Sequence, residues 1–314
     1  MRNVVHKILA LLCVGLMAGS AFGAPLAGSV RPAIPSDVQQ LISVDYRALK
    51  DSDTAQALRQ QVMPDNIKQF ESALKAIGID PERDVDTLTF VSYRDARQGL
   101  KVFGAAQGVF PTKVVLKKLA LKKVKAVKYR DASIYPMSDG MEMTFLDDST
   151  LLFGEGSAIR GSLDARDGYI QTMDSNTDMA NLISDVEGGS VWSILDQKGT
   201  QNMLLSALGD ASRLADYDSV KKRILGSNYT MNFSGGVKFD LNVVTSDSVT
   251  AATLSSLVKA GVLYKKMTAS AVEKTALEDV TVNSDSSKLQ MHFKADDKQF
   301  QALMHTSLFA AVSK

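Results

Sequence analysis

The spacing of apolar residues over positions 138–165 predicts a strand, a turn, a second strand and a helix. Met141, Met143 and Phe145 recur at every second position, and a period of two indicates a strand. The run Asp147-Asp148-Ser149 predicts a turn, because short polar side chains bond to their own backbone. The apolar run 150–153 predicts the returning strand, and Ser157 offers a hydroxyl to cap a helix whose apolar positions lie four apart.

A comparable series of elements recurs in the C-terminal half of the chain. The first half predicts a strand, helices, a hairpin over 87–107, a helix from Pro111, a second hairpin and a last helix. The second half predicts the same series, with hairpins over 229–244 and 280–294 and a long helix over 249–264. We therefore expect an α+β fold of two similar lobes, each a mostly antiparallel sheet with helices packed on one face, made by an internal duplication. Chance similarity of two α+β halves is the alternative.

Composition shifts divide the chain into five segments. A Pro/Gly/Ser-rich stretch without periodicity predicts a flexible leader, and a polar aperiodic stretch predicts a linker. The expected segments are a signal peptide (1–23), the flexible leader (24–36), lobe 1 (37–165), the linker (166–178) and lobe 2 (179–314).

The N-terminal segment has the three parts of a signal peptide. Arg2 and Lys7 make its start positive, and the apolar run 8–17 is too short to span a bilayer. Small residues lie where a signal peptidase reads, so cleavage after Gly23 would leave Ala24 first. We expect a freely exported protein, periplasmic or extracellular, with no transmembrane helix after cleavage. An uncleaved N-terminal anchor is the alternative.

Cysteine content and charge exclude several kinds of chemistry. Cys13 is the only cysteine and lies in the signal peptide, so the mature chain can have no disulfide and no thiolate nucleophile. Apolar residues make up 45% and charged residues 23%, as in globular proteins. Removing Arg2 and Lys7 changes the formal net charge from +1 to −1. That balance gives no reason to expect a nucleic-acid partner.

The most uneven charge distribution lies over residues 113–130, which contain seven lysines, one arginine and no acid. The simpler interpretation is a solvated helix face, with lysines opposite an apolar stripe of Val115, Leu116 and Leu119. The functional interpretation is a surface that binds an anionic lipid or envelope polymer. The candidate binding residues are Lys113, Lys117, Lys118, Lys122, Lys123, Lys125, Lys128 and Arg130.

The mature chain has two histidines, His292 and His305. His292 alternates with apolar neighbours on a predicted strand and should face solvent, whereas His305 lies at the edge of a helical apolar stripe. A catalytic triad or a zinc site needs several converging partners, and neither HExxH nor GxSxG occurs. Surface and boundary positions therefore explain both histidines.

The run Gly154-Glu155-Gly156-Ser157 follows a strand and opens a helix, as phosphate-binding loops do. Ile159 stands where a dinucleotide fingerprint needs glycine, and no GK[ST] follows. A turn with a helix cap is the better explanation.

Acidic residues alternate through one loop, at Asp80, Glu82, Asp84 and Asp86. Calcium prefers such oxygen ligands, but Val85 and Val91 replace the glycine and the glutamate of a calcium-binding loop. We therefore predict no metal site here.

Three runs, over 34–49, 78–94 and 145–156, resemble uncharacterised exported bacterial α+β proteins that have a signal peptide and no assigned activity. The resemblance implies export and supplies no catalytic residue. We expect a non-enzymatic binding or structural module of the cell envelope or extracellular space. Its partner would be an envelope polymer, an anionic surface or another exported protein. The alternatives are a hydrolase using carboxylates that the fold brings together, and association with anionic envelope surfaces through 113–130. No catalytic residue, cofactor or metal ligand is predicted.

Overall fold

The computed structural model describes residues 25–26, 28–50, 52–62, 65–137, 140–208 and 217–306. The predicted signal peptide lies outside the described residues. The strands of the described part are β1 (Val38–Asp45), β2 (Val85–Asp95), β3 (Gly99–Gly108), β4 (Val127–Tyr129), β5 (Ala132–Pro136), β6 (Met141–Asp147), β7 (Thr150–Glu155), β8 (Val191–Asp196), β9 (Ile224–Asn232), β10 (Val237–Thr245), β11 (Val280–Asp285) and β12 (Lys288–Ala295).

The helices of the same part are α1 (Tyr46–Lys50), α2 (Asp53–Val62), α3 (Asp65–Ile77), α4 (Pro81–Asp84), α5 (Thr112–Leu121), α6 (Gly156–Arg166), α7 (Thr177–Ser184), α8 (Gln197–Leu208), α9 (Tyr217–Lys221), α10 (Ser248–Thr268), α11 (Ala271–Glu278) and α12 (Asp297–Met304). Short 3-10 helices cover Arg31–Ala33 and Met173–Ser175. None of these helices is both long enough and apolar enough to cross a membrane.

The twelve strands of the described residues join one antiparallel sheet, in the order β11-β12-β10-β9-β8-β1-β2-β3-β7-β6-β5-β4. The predicted α+β class with an antiparallel sheet is confirmed. The expectation of a separate sheet in each half is corrected, because β1 pairs with β8 and joins the halves. Their register places Leu41 opposite Ile194 and Ser43 opposite Trp192.

The two halves add strands to this centre in matching order. Outward from the centre, the first half runs β1-β2-β3-β7-β6 and the second half runs β8-β9-β10-β12-β11. The β2–β3 and β9–β10 hairpins therefore occupy the same places relative to the centre. This is the order that an internal duplication predicts, and the duplication itself stays a prediction.

In the first half, apolar side chains cover both faces of the sheet. Leu152 belongs to a core that includes Ala158 of α6, whereas Leu151 and Phe153 belong to a core that includes Val115 of α5. Adjacent strand residues point to opposite faces, so helices lie on both sides of β7. The prediction of helices on one face is therefore corrected for this half.

The segment predicted as a flexible leader is packed in the structure. Val30, Ala33 and Ile34 are fully buried, and Val30 and Ile34 belong to the central core. The hydroxyl of Ser162 donates to the carbonyl of Ala33 at 2.6 Å. This segment is held by α6 rather than extending as an arm.

The segment predicted as a linker also contributes to the core. Met173 is fully buried, and its N–H donates to the carbonyl of Ile34 at 2.8 Å. Asn176 caps α7 by accepting a hydrogen bond from the N–H of Met179. The domain boundary over 166–178 stays a prediction, and its residues pack against the first half.

The turn between β6 and β7 forms where the sequence predicts it. The carboxylate of Asp147 accepts hydrogen bonds from the N–H and the hydroxyl of Ser149, both at 2.7 Å. Partial burial opposes ionisation of Asp147, but these hydrogen bonds outweigh it and hold its pKa below the usual range. The predicted cap is wrong, because α6 begins at Gly156 and Ser157 already lies inside the helix.

Candidate functional site

Helix α5 positions most of the predicted basic residues. It follows Pro111, whose fixed backbone angle suits a helix start. Val115 and Leu119 are buried and Leu116 packs partly against the same core, which confirms the predicted inward stripe. The lysines of α5 therefore lie on the sides of the helix that face away from the core.

All eight predicted binding residues are exposed, among them Lys113, Lys117, Lys123, Lys125 and Lys128. Lys128 lies on β4, the edge strand of the sheet. Two aliphatic side chains share the outer face of α5, Val114 with 50% exposure and Leu121 with 73%. Val114, Lys117 and Leu121 lie three and four positions apart, so they form one surface. We call these five lysines, Val114 and Leu121 the basic surface.

Lys118 and Lys122 lie at the C-terminal end of α3 instead. The ammonium of Lys122 donates to the carbonyl of Ala76 at 3.0 Å. A Cβ atom placed on Gly78 would lie 2.3 Å from the Lys118 Nζ, so the Lys118 side chain passes directly over this glycine. Positive groups are favourable at the C-terminal end of a helix. These two lysines therefore hold α5 against α3.

Arg130 is committed to contacts within the protein. Its guanidinium donates to Asp164 at 2.9 and 3.0 Å and lies 3.6 Å from the ring centre of Tyr169. The hydrogen bonds to Asp164 raise the pKa of Arg130. Tyr129 donates to the same carboxylate, at 2.9 and 3.0 Å. Arg130 thus fastens the β4–β5 turn to α6, and its charge is paired with that of Asp164.

The glycine-containing run before α6 already has an anion at its helix end. The Glu142 carboxylate lies 3.2 Å from the Arg160 guanidinium. A Cβ atom placed on Gly156 would lie 2.3 Å from Glu142 Oε2, so this carboxylate covers the first turn of α6. It occupies the position where a phosphate would approach the helix N-terminus. The structure supports the interpretation of this run as a turn before a helix.

The alternating acidic residues are each bonded to protein groups. Asp80 caps α4 by accepting from the Glu82 N–H at 3.1 Å, and Glu82 pairs with Arg59 at 3.2 Å. Asp84 accepts from Arg83 at 2.7 and 3.0 Å, which lowers its pKa, and Asp86 pairs with Arg47. Within the described residues, no group of three or more His, Cys, Asp or Glu side chains is placed to hold a metal ion.

His292 forms a pair that the sequence did not reveal. It is exposed, as predicted, and its Nδ1–H donates to Asp240 at 2.5 Å. The two residues lie directly opposite each other on β12 and β10, so the pair depends on strand register. An alternation pattern gives the face of a strand but not its partner across the sheet. His305 is exposed at the C-terminal end of α12.

No family model and no curated protein matches the chain. Among solved structures, crystal form I of TP0453 has a TM-score of 0.49 and 6% identity and covers 91% of this chain and 98% of that one. Crystal form III of TP0453 has a TM-score of 0.46 and 7% identity and covers 87% and 96%. Likenesses this distant carry no argument about function.

Proposed function

We propose that this chain is an exported, non-enzymatic binding module of the cell envelope or extracellular space, and that it attaches to an anionic surface through the basic surface. The observation that carries the proposal is the outer face of α5, where lysines flank exposed Val114 and Leu121. The export part rests on the features of residues 1–23.

The basic surface combines two kinds of attraction. Exposed lysines draw the protein towards negative charge over roughly a Debye length, about 8 Å at physiological ionic strength. On a lipid surface, Val114 and Leu121 would then contact the boundary between headgroups and acyl chains, as the apolar face of an interfacial helix does. Because Lys118 and Lys122 hold α5 against α3, the outer face is presented by a fixed helix.

The proposal is tested by co-sedimentation with vesicles of phosphatidylcholine, prepared with and without phosphatidylglycerol. We expect the protein to sediment with the anionic vesicles at low salt and to be released at high salt, because salt screens exposed charges. The variant Lys113→Gln/Lys117→Gln should lose most of this binding. Val114→Ser/Leu121→Ser should weaken binding at all salt concentrations, because the apolar contact is not screened.

The matched control is Lys238→Gln/Lys294→Gln, which removes the same charge from the opposite end of the sheet. This control should bind anionic vesicles like the wild type. Equal loss in the two double variants would show attraction to net charge alone and would overturn the assignment to α5. Absence of wild-type binding at low salt would also overturn it.

A further inference from the structure

The outer strands β10, β12 and β11 of the second half carry polar side chains on the face that α10 does not cover. Nearer the centre of the sheet, α7 covers this face at β9, where the amide of Asn228 donates to the carbonyl of Leu182 at 3.0 Å. Apolar residues of β10 and β12 pack on the other face, where Leu241, Val243 and Leu289 share a core with Leu254 of α10. The opposite face is formed by alternate residues of four neighbouring strands. We call it the polar face, and its residues are Thr230, Lys238, Asp240, Asn242, Thr281, Asn283, Gln290, His292 and Lys294.

Strand register arranges these side chains in rows. One row reads Thr230, Asp240, His292 and Thr281 across β9, β10, β12 and β11. The next row reads Asn242, Gln290 and Asn283 across β10, β12 and β11. Neighbouring strands lie about 4.8 Å apart, so each row is a nearly flat series of hydrogen-bonding groups.

A third row places two lysines directly opposite each other, Lys238 on β10 and Lys294 on β12. Like charges in this arrangement repel and destabilise a sheet. Asp240 on this face pairs with His292 at 2.5 Å, and Lys288 pairs with Asp185 at 3.1 Å. Lys238 and Lys294 form no such pair with the described residues. An anion between the two ammonium groups would relieve their repulsion.

We propose that the polar face binds an acidic oligosaccharide, with a carboxylate between Lys238 and Lys294 and sugar hydroxyls against the amides of Gln290 and Asn283. Amide side chains both donate and accept hydrogen bonds, which matches hydroxyl groups that also do both. The bond from His292 to Asp240 fixes the imidazole, so its Nε2 is the nitrogen left for the ligand. The carboxylate of the oligosaccharide supplies the negative charge that complements the two lysines.

The composition of the polar face favours this ligand over a protein partner. Protein interfaces have cores enriched in aromatic residues and methionine and depleted of lysine. The polar face carries lysines, amides and hydroxyls instead. It also lies at the opposite end of the sheet from β4, so it is separate from the basic surface.

The test is calorimetric titration with hexagalacturonate at low salt, with its fully methyl-esterified form as the neutral counterpart. We expect the acid to bind and the ester to bind at least about tenfold more weakly, because the charged hydrogen bonds are lost. Lys238→Gln/Lys294→Gln should abolish the preference for the acid. Asn283→Ala/Gln290→Ala should weaken the binding of both ligands and leave the preference for the acid over the ester intact.

The charge-matched control is Lys259→Gln/Lys265→Gln on α10, which removes two exposed lysines outside both surfaces and should bind hexagalacturonate like the wild type. Lys238→Gln/Lys294→Gln keeps its vesicle binding if the proposed function holds, so the two proposals can fail independently. A linear polyphosphate of equal charge should compete poorly, because it has no hydroxyl groups for the amides. Equal competition by polyphosphate, equal binding of acid and ester, or no binding by the wild type would each overturn the proposal.

Discussion

Strands β7 and β12 show how differently the two halves of the sheet are covered. In β7, the four residues from Thr150 to Phe153 are all buried, because α5 and α6 lie on opposite faces of the strand. In β12, buried Leu289 and Ala295 alternate with side chains of the polar face. A continuous apolar run therefore marks a strand covered twice, and alternation marks a strand covered once.

The two halves of the sheet therefore depend on different buried surfaces for their stability. The first half buries side chains on both faces, whereas the outer strands of the second half depend on the face beneath α10. The row of opposed side chains that contains Trp192 runs from the buried centre of the sheet to its exposed outer strands. Trp192 is fully buried in the central core, whereas Thr281, at the far end of the same row, is exposed.

The largest effect is expected at Trp192. Replacing it by alanine should lower the free energy of unfolding by about 3–5 kcal/mol, since a large buried side chain leaves a cavity. Thr281→Ala, in the same row, should change it by less than about 0.5 kcal/mol. Urea unfolding measures both. Similar losses of unfolding free energy in the two variants would contradict the view that one end of this row is buried and the other is exposed.

An intermediate effect is expected at the start of α10, which covers the packed face of the second half. Asp247 accepts hydrogen bonds from the N–H of Thr250 at 2.8 Å, from its hydroxyl at 2.9 Å and from Ser246 at 2.8 Å. The backbone hydrogen bond is the main cause that lowers the pKa of Asp247 to about 2. The ionised form is thus favoured in the folded chain, and its stabilising contribution is present above the ordinary aspartate pKa near 4.

That contribution should be lost as the pH falls from about 4 towards 2. In Asp247→Asn, the urea midpoint should therefore depend less on pH across this window than in the wild type. Ser270→Ala is the control, because Ser270 caps α11 with a group that does not titrate. It should lower the midpoint equally at every pH. A wild-type slope retained in Asp247→Asn would contradict the assignment.

The smallest effect is expected among the lysines of the first half. Lys118→Gln and Lys122→Gln should each cost about 0.3–1 kcal/mol, because each removes a positive group from the C-terminal end of α3. Lys113→Gln and Lys117→Gln should each stay within about 0.5 kcal/mol of the wild type. Thermal unfolding at low and high salt would distinguish the two pairs of lysine variants. Equal losses of stability in all four variants would show that none of these lysines holds α5 against α3.

The sequence predicted local elements well and long-range contacts poorly. The hairpins and the stripe of α5 follow from residues close together in the chain, and the structure has them. The β1–β8 pairing and the Asp240–His292 pair depend on register between distant strands, which no local pattern encodes. The roles of Lys118 and Lys122 depend on where α3 ends in space, so their charge alone suggested free surface groups.

In the leader, the spacing of apolar residues and the overall composition favour different structures. Leu26, Val30 and Ile34 lie four positions apart, a spacing that predicts one apolar face. The surrounding proline, glycine and serine residues suggested a flexible arm instead. All three apolar residues belong to the central core.

Because β1 pairs with β8, the sheet of a newly synthesised chain can be completed only after β8 has been made. A chain that emerges N-terminus first can assemble β1 to β7 long before residues 191–196 exist. Until then the outer edge of β1 has unpaired backbone groups, and the core lacks the indole of Trp192. Truncation after α6 would preserve that unfinished stage, and such a fragment should recruit a strand from another copy to close its open edge.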